Sequence, residues 1–274
     1  MLKQRVITAV VGVPVIVFAV WFGIPWFAAL IAAIALTGTF EFFHIITSSQ
    51  KGRPLTYLGL LWTLALVLSP LGPYYKSFDA LPVIMTLAMI VSLIWLLWRS
   101  PQEKAFHNWA WTVAGVLYIG WMLSYWLNLR LLENGRGWVY LALFTTFAND
   151  TGAFFIGRAW GKHKLAPAIS PSKTWEGTIG GLFSAIIAAI VVFVILNLIS
   201  PFPFSYWQAV FLGFLVSLFA HLGDLVESLF KRNMGVKDSG KLLPGHGGIL
   251  DRFDSLIFTG MVVYYYALCC CNHP

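Results

Sequence analysis

Eleven acidic residues stand in this chain of 274, and seven of them follow residue 149. Asp224, Glu227 and Ser228 occur together as Gly-Asp-Leu-Val-Glu-Ser. On a helix, spacings of three and four residues put them on one face, and His221 joins that face one turn earlier. Ionisable groups set this densely among apolar residues need a compensating partner, either a paired side chain or a divalent cation. Asp251 and Asp254 form a second i, i+3 pair in Gly-Gly-Ile-Leu-Asp-Arg-Phe-Asp-Ser. An acidic first turn that complements a helix dipole accounts for Asp254 better than for Asp251, which follows a glycine-rich turn and precedes Arg252. Asp150, next to Asn149 and two residues before Gly152, reads as a third polar site within an apolar run. Glu41 and His44 read as a structural pair between helices.

Between these acids runs Lys237-Asp238-Ser239-Gly240, leading to Pro244-Gly245-His246-Gly247-Gly248. Glycines beside a helix start leave backbone N–H groups facing outward, and the helix N-terminus adds positive potential, so the turn suits an anion. Lys231, Arg232, Lys237, Lys241 and Arg252 surround it. Oxygen ligands without a Cys–His constellation favour Mg²⁺ over zinc. Cys269, Cys270 and Cys271 are adjacent and offer no ligand spacing. Hard-metal carboxylates, a glycine turn and flanking cations are the parts of phosphoryl or nucleotidyl transfer.

The elements that must carry these groups are membrane helices. The chain is 59% apolar and 11% charged, whereas soluble domains run about 45–50% apolar and 25% charged. A soluble enzyme, a disordered tail and a disulfide scaffold are excluded. The apolar runs are long and unbroken, unlike the alternating strands of a barrel. The predicted architecture is an all-α polytopic integral membrane protein with about nine transmembrane helices. They cover roughly 5–23, 24–46, 55–71, 80–98, 110–131, 137–158, 177–199, 205–230 and 249–270. The first resembles a signal peptide, but no small-residue cleavage site follows, so it is read as helix one. Two polar connectors, 158–176 and 231–248, are expected as solvated loops. The chain reads as a single transmembrane domain, 1–274. Within it, 1–136 would be a scaffold and dimerisation region and 137–274 the catalytic helices and cytoplasmic loops.

The net charge is +7, from 18 Lys and Arg against 11 Asp and Glu. With nine alternating spans and a cytoplasmic N-terminus, 15 of the basic residues fall on the cytoplasmic side and 3 outside. That asymmetry predicts the N-terminus in the cytoplasm and the C-terminus outside. The excess charge is then largely topological, and nucleic acid is not expected as a partner. What remains local to 231–252 suits a phosphate-bearing anion.

The run from Ser228 to Asp254 resembles the signature of the phosphatidate cytidylyltransferases, or CDP-diacylglycerol synthases. Ser228, Lys231, Arg232, Lys237, Asp238, Gly240, Pro244, His246, Gly247, Gly248, Asp251, Arg252 and Asp254 occupy its fixed positions without a departure. The resemblance extends to His221-Leu-Gly-Asp224, to Ser170-Pro-Ser-Lys173-Thr-Trp-Glu176-Gly177 and to Asn149-Asp150-Thr-Gly152. It covers the second half of the chain, and the first half is similar only in hydropathy.

The resemblance implies that phosphatidic acid and CTP give CDP-diacylglycerol and pyrophosphate, a step of phospholipid biosynthesis. It also implies Mg²⁺, with a monovalent cation such as K⁺ sharing the site. Further implications are a homodimer in the bacterial inner membrane and an active site on the cytoplasmic side, among membrane lipids. The family's paired metal-binding aspartates fall on Asp224 and Asp251. Asp150, Asp238 and Asp254 are further metal candidates. Lys173, Lys231, Lys237 and Arg252 are expected on the triphosphate or phosphatidate, with Arg232, Gly247 and Gly248 lining the same anion site. His246 is expected to donate to a phosphate oxygen. Two rivals are a different membrane phosphotransferase and a cation-coupled transporter. The unbroken signature argues against the first, and the lack of an internal repeat argues against the second.

Overall fold

The structure is a computed structural model that describes residues 2–75, 78–98, 104–202, 204–240 and 247–271. Its elements are almost all helical. Helix α1 spans Leu2–Phe22 and α2 spans Ile24–Ser48. The predicted tight turn between them is made by Gly23, whose φ of 111° suits glycine alone, and by Pro25 in the first turn of α2. Helix α3 (Thr56–Leu68) is followed by a short α4 (Leu71–Tyr74), and then by α5 (Leu81–Trp98). Helix α6 (Ala105–Gly115) runs through a π-helical stretch, Val116–Trp121, into α7 (Met122–Leu131). Helix α8 covers Gly135–Trp160, α9 Trp175–Ile199, α10 Tyr206–Asn233 and α11 Leu250–Cys271.

Among the described residues, eight helices are long and apolar enough to cross a membrane. Helix α1 adds a shorter apolar stretch, Gly12–Phe22, where the sequence pattern places a first span. The all-α polytopic reading therefore holds, and the protein is a multi-pass membrane protein. The exception is the 158–176 connector, expected as an open loop. It folds as an antiparallel hairpin of β1 (Lys164–Ala166) and β2 (Ser170–Thr174), with Lys164 opposite Thr174 and Ala166 opposite Ser170. Trp175 N–H closes the pair on the His163 carbonyl at 2.9 Å.

The chain divides into two compact units. One holds residues 1–131 together with 233–252, so the described residues of the second polar connector from 233 onward belong with the first seven helices. In it α2 is central and packs on α1, α3, α6 and α7. Phe27, Phe43 and Ile46 of α2 and Leu66 of α3 are fully buried. Polar ties supplement the packing: the Thr39 and Thr63 hydroxyls meet at 3.3 Å, and Leu55 N–H donates to Thr112 at 2.8 Å. Helix α5 buries only Ser92, which accepts a 2.9 Å bond from Trp109.

The other unit holds 132–232 and 253–274. Helices α8 and α9 are its most intimate pair. A methyl at Gly181 would lie 2.9 Å from the Asn149 carbonyl, and one at Gly177 would lie 2.8 Å from the Ala153 carbonyl. Without water to expel, membrane helices gain by such close backbone approach. Asn149 accepts a 2.7 Å bond from Ser217 of α10, and Thr146 meets Thr259 of α11 at 3.2 Å. Phe202 and Phe204 pack on Trp138, with ring centroids 4.9 and 5.2 Å apart.

Candidate active site

In the unit of 132–232 and 253–274, the hairpin delivers Lys173 and then stops as a helix cap. Thr174 accepts a bond from Gly177 N–H at 3.2 Å and so starts α9. Lys173 Nζ lies 2.7 Å from Asp224 Oδ2 on α10. The other oxygen of Asp224 accepts a 3.4 Å bond from Ser228, one turn along. Glu227, fully buried, pairs with Lys231 four residues on. The one-face spacing of Asp224, Glu227 and Ser228 is thus realised, and two lysines supply the compensating charge. His221 bonds the Thr178 main chain, while its buried Nε2 has no hydrogen-bond partner among the described residues.

Two further acids reach this cluster. Asp254, on α11, lies within electrostatic reach of Asp224, Glu227 and Asp150. Asp150 accepts a 3.1 Å bond from Asn149 and a long 3.5 Å one from Ser255. In formal charge, four carboxylates face the two ammonium groups of Lys173 and Lys231. Arg232 donates to the Ile169 carbonyl at 3.2 Å, tying the hairpin turn to α10. At the hairpin base, His163 meets Glu176 at 2.6 Å.

The donor chemistry of this cluster suits a hard cation, since its acids offer oxygen and no thiolate. Among the described residues, no three His, Cys, Asp or Glu side chains close on one point tightly enough to hold a metal by themselves. Mg²⁺ is commonly held by one or two carboxylates plus substrate phosphates and water, so an open donor set is compatible with it.

In the unit of 1–131 and 233–252, the glycine turn takes a form the sequence did not suggest. Asp251 Oδ2 accepts from Ser239 N–H at 2.8 Å, from Ser239 Oγ at 2.9 Å and from Gly248 N–H at 2.8 Å. Ile249 and Leu250 N–H donate to Glu41 at 3.0 and 2.9 Å. The backbone donors at the start of α11, expected to face a phosphate, are met by two of the chain's own carboxylates. Gly247, with φ of 84°, and Gly248 pack directly on Asp251 and Glu41. Lys237, Asp238 and Arg252 are exposed nearby. His246 and Lys241 lie outside the described residues.

Glu41 is the residue that sequence reasoning undervalued. It is 7% exposed, and its partners lie in the turn and not on His44. The available signal was an acid in the middle of an apolar span. Beside it opens a cavity of about 760 Å³ between α2 and α3, walled by Leu36, Phe40, Leu60 and Leu64 and closed at its polar end by Glu41, His44, Ser239 and Gly240.

The geometry thus offers an acidic, lysine-braced cluster and a tightly hydrogen-bonded turn beside an apolar cavity. Comparison with known proteins supplies the chemistry. The family model described as "Cytidylyltransferase family" matches residues 3–270. The chain is 35% identical over 268 residues to a phosphatidate cytidylyltransferase of Bacillus subtilis (strain 168), a match spanning 96% of this chain and 97% of that protein. It is also 35% identical over 265 residues to a phosphatidate cytidylyltransferase of Staphylococcus haemolyticus (strain JCSC1435), spanning 94% and 96% of the two chains. A third, from Staphylococcus aureus (strain COL), is 35% identical over 261 residues. With its signature run intact and a match along nearly its whole length, the chain belongs to the cytidylyltransferase family.

Proposed function

We propose that this chain is a membrane nucleotidyltransferase that converts CTP and phosphatidic acid into CDP-diacylglycerol and pyrophosphate. A phosphatidate oxygen forms a new bond to the α-phosphorus of CTP, and the bond to the β-phosphoryl oxygen breaks as pyrophosphate leaves. The observation that carries the reading is the acidic cluster braced by Lys173 and Lys231 in a chain whose full length matches the family. The attacking phosphate is already ionised, so the protein's task is positioning and charge neutralisation and needs no strong base.

Each group has a role in that scheme. Lys173 and Lys231 neutralise phosphate charge, and Lys237 and Arg252 sit exposed to meet the triphosphate or the lipid phosphate. Asp224 would hold Mg²⁺ in one unit and Asp251 in the other, with Asp150, Asp238 and Asp254 in support. Mg²⁺, when bound, neutralises phosphate oxygens and stabilises the charge that builds on the leaving group. A monovalent cation such as K⁺ is part of the same proposal. The carboxyl oxygens of Asp150, Asp224, Glu227 and Asp254 gathered there supply the hard donors that a further cation would use.

The cavity suits an acyl chain laid along its apolar walls, away from the polar end formed by Glu41, His44, Ser239 and Gly240. The 15-to-3 sorting of basic residues supports a cytoplasmic site and N-terminus in a bacterial inner membrane. A homodimer is part of the reading, supported by the apolar face of α5 that its own unit leaves uncovered. Radiolabelled CTP incorporation into lipid by purified protein tests the proposal. Label should enter lipid only with both phosphatidic acid and Mg²⁺ present, and incorporation that ignores phosphatidic acid would overturn it.

A further inference from the structure

We infer that Glu41 is a positioning residue of the reaction, acting through Ser239 and the first turn of α11 to set the Asp251 carboxylate. The inference rests on the functional reading above. Glu41 belongs to α2, far in sequence from the signature run, yet its carboxylate is buried at the heart of the turn. Its Oε1 accepts from Ile249 N–H at 3.0 Å, and its Oε2 accepts from Leu250 N–H at 2.9 Å. Ser239 Oγ lies 3.1 Å from Glu41 Oε2 and 2.9 Å from Asp251 Oδ2. A hydroxyl has one proton, so Ser239 serves one carboxylate at a time and links the two acids.

Space confirms the fit. A methyl added at Gly248 would collide with Ser239 Oγ and Glu41, and one at Gly240 would lie 2.7 Å from Glu41 Oε1. The turn is therefore built around a carboxylate at this point. A neutral amide would face the Ile249 and Leu250 N–H donors with a donor of its own, leaving at least one of them unsatisfied in a buried place. The first turn of α11 would then be released, and with it the orientation of Asp251. No substrate contact is assigned to Glu41.

Glu41→Gln, Ser239→Ala and Asp251→Asn in the full-length protein test this, with hydrogen exchange read alongside kinetics. Glu41→Gln should raise exchange in peptides covering 247–252 by about tenfold or more, leaving α8 and α9 peptides as in the unaltered protein. Its kcat should fall by about tenfold or more, with KM for CTP and phosphatidate within about twofold. Half-activation should need severalfold more Mg²⁺, which a loss of folded protein alone does not produce. Ser239→Ala should shift all three in the same direction by a smaller factor.

Unchanged exchange and kcat in Glu41→Gln would overturn the inference. If Glu41→Gln loosens the whole chain, wild-type exchange and Mg²⁺ dependence in Ser239→Ala overturn it instead. Full turnover in Asp251→Asn would remove the role given to Asp251, and failure of the unaltered protein to label phosphatidate would remove the functional reading itself.

Discussion

Lys173 and Asp224 form a 2.7 Å ion pair that joins the hairpin to the middle of α10. Each partner is more than half shielded, with side chains 16% and 34% exposed. In the resting protein the lysine holds the carboxylate; in the proposed reaction it would hand part of its charge to a phosphate. Lys173→Met leaves Asp224 without that partner, and breaking a shielded pair costs about 2–3 kcal/mol after allowance for partial exposure. A drop of roughly 30- to 100-fold in kcat/KM for CTP is expected. Steady-state label incorporation checks it, and a variant within twofold of the parent would remove Lys173 from the site.

Asp224→Asn and Asp251→Asn should each abolish turnover while the protein remains inserted in the membrane. Asparagine keeps the shape but forfeits the charge that a hard cation requires, and at Asp224 the charge that Lys173 pairs with. Membrane fractionation and label incorporation together separate loss of chemistry from loss of protein. Near-normal incorporation by either variant is the outcome that contradicts its assignment.

Chelation should stop the reaction and Mg²⁺ should restore it, because the proposed transfer relies on a hard divalent cation held by carboxylates such as Asp224 to neutralise phosphate oxygens. Ca²⁺ prefers more ligands and longer distances, and is expected to restore little. Activity that persists in excess EDTA would show that the cluster works without a divalent ion.

Gly181→Ala should destabilise the protein by about 1–3 kcal/mol, since the new methyl would press on the Asn149 carbonyl, which cannot swing aside. Gly12→Ala is the control, having open space within 4 Å. Thermal unfolding in detergent should show a lowered midpoint for the first and none for the second. Equal midpoints would mean that α8 and α9 are less tightly seated than described.

Leu64→Trp should fill part of the cavity between α2 and α3. Its expected signature is a raised KM for phosphatidate with KM for CTP unchanged. A parallel rise in both would argue that the cavity does not take the lipid chain.

The sequence disclosed some of this and concealed the rest for physical reasons. The spans were legible because a bilayer demands about 20 apolar residues at a stretch, which no other environment imitates. The shared face of Asp224, Glu227 and Ser228 followed from helical spacing alone. The hairpin was not legible: its strands are three and five residues long, and Ser170-Pro-Ser-Lys173-Thr lacks the apolar alternation that marks a strand. Lys173 was expected on a phosphate, and its ion pair with Asp224 depends on a turn that periodicity does not encode. Glu41 was assigned to His44 because they are neighbours in sequence; its partners at Ser239 and Ile249 are 198 and 208 positions away. Pairings across such distances leave no local pattern to read.

The glycine seam between α8 and α9 has a mechanical corollary. Where Gly177 and Gly181 lie on the Ala153 and Asn149 carbonyls there is little slack to take up, so these two helices and the hairpin that joins them are expected to move together. Asp150 rides on one limb and Lys173 on the connector. Lipids that thin, thicken or tilt the protein should therefore shift the pair as a unit, leaving the charge geometry of this part of the molecule indifferent to the composition of the bilayer around it.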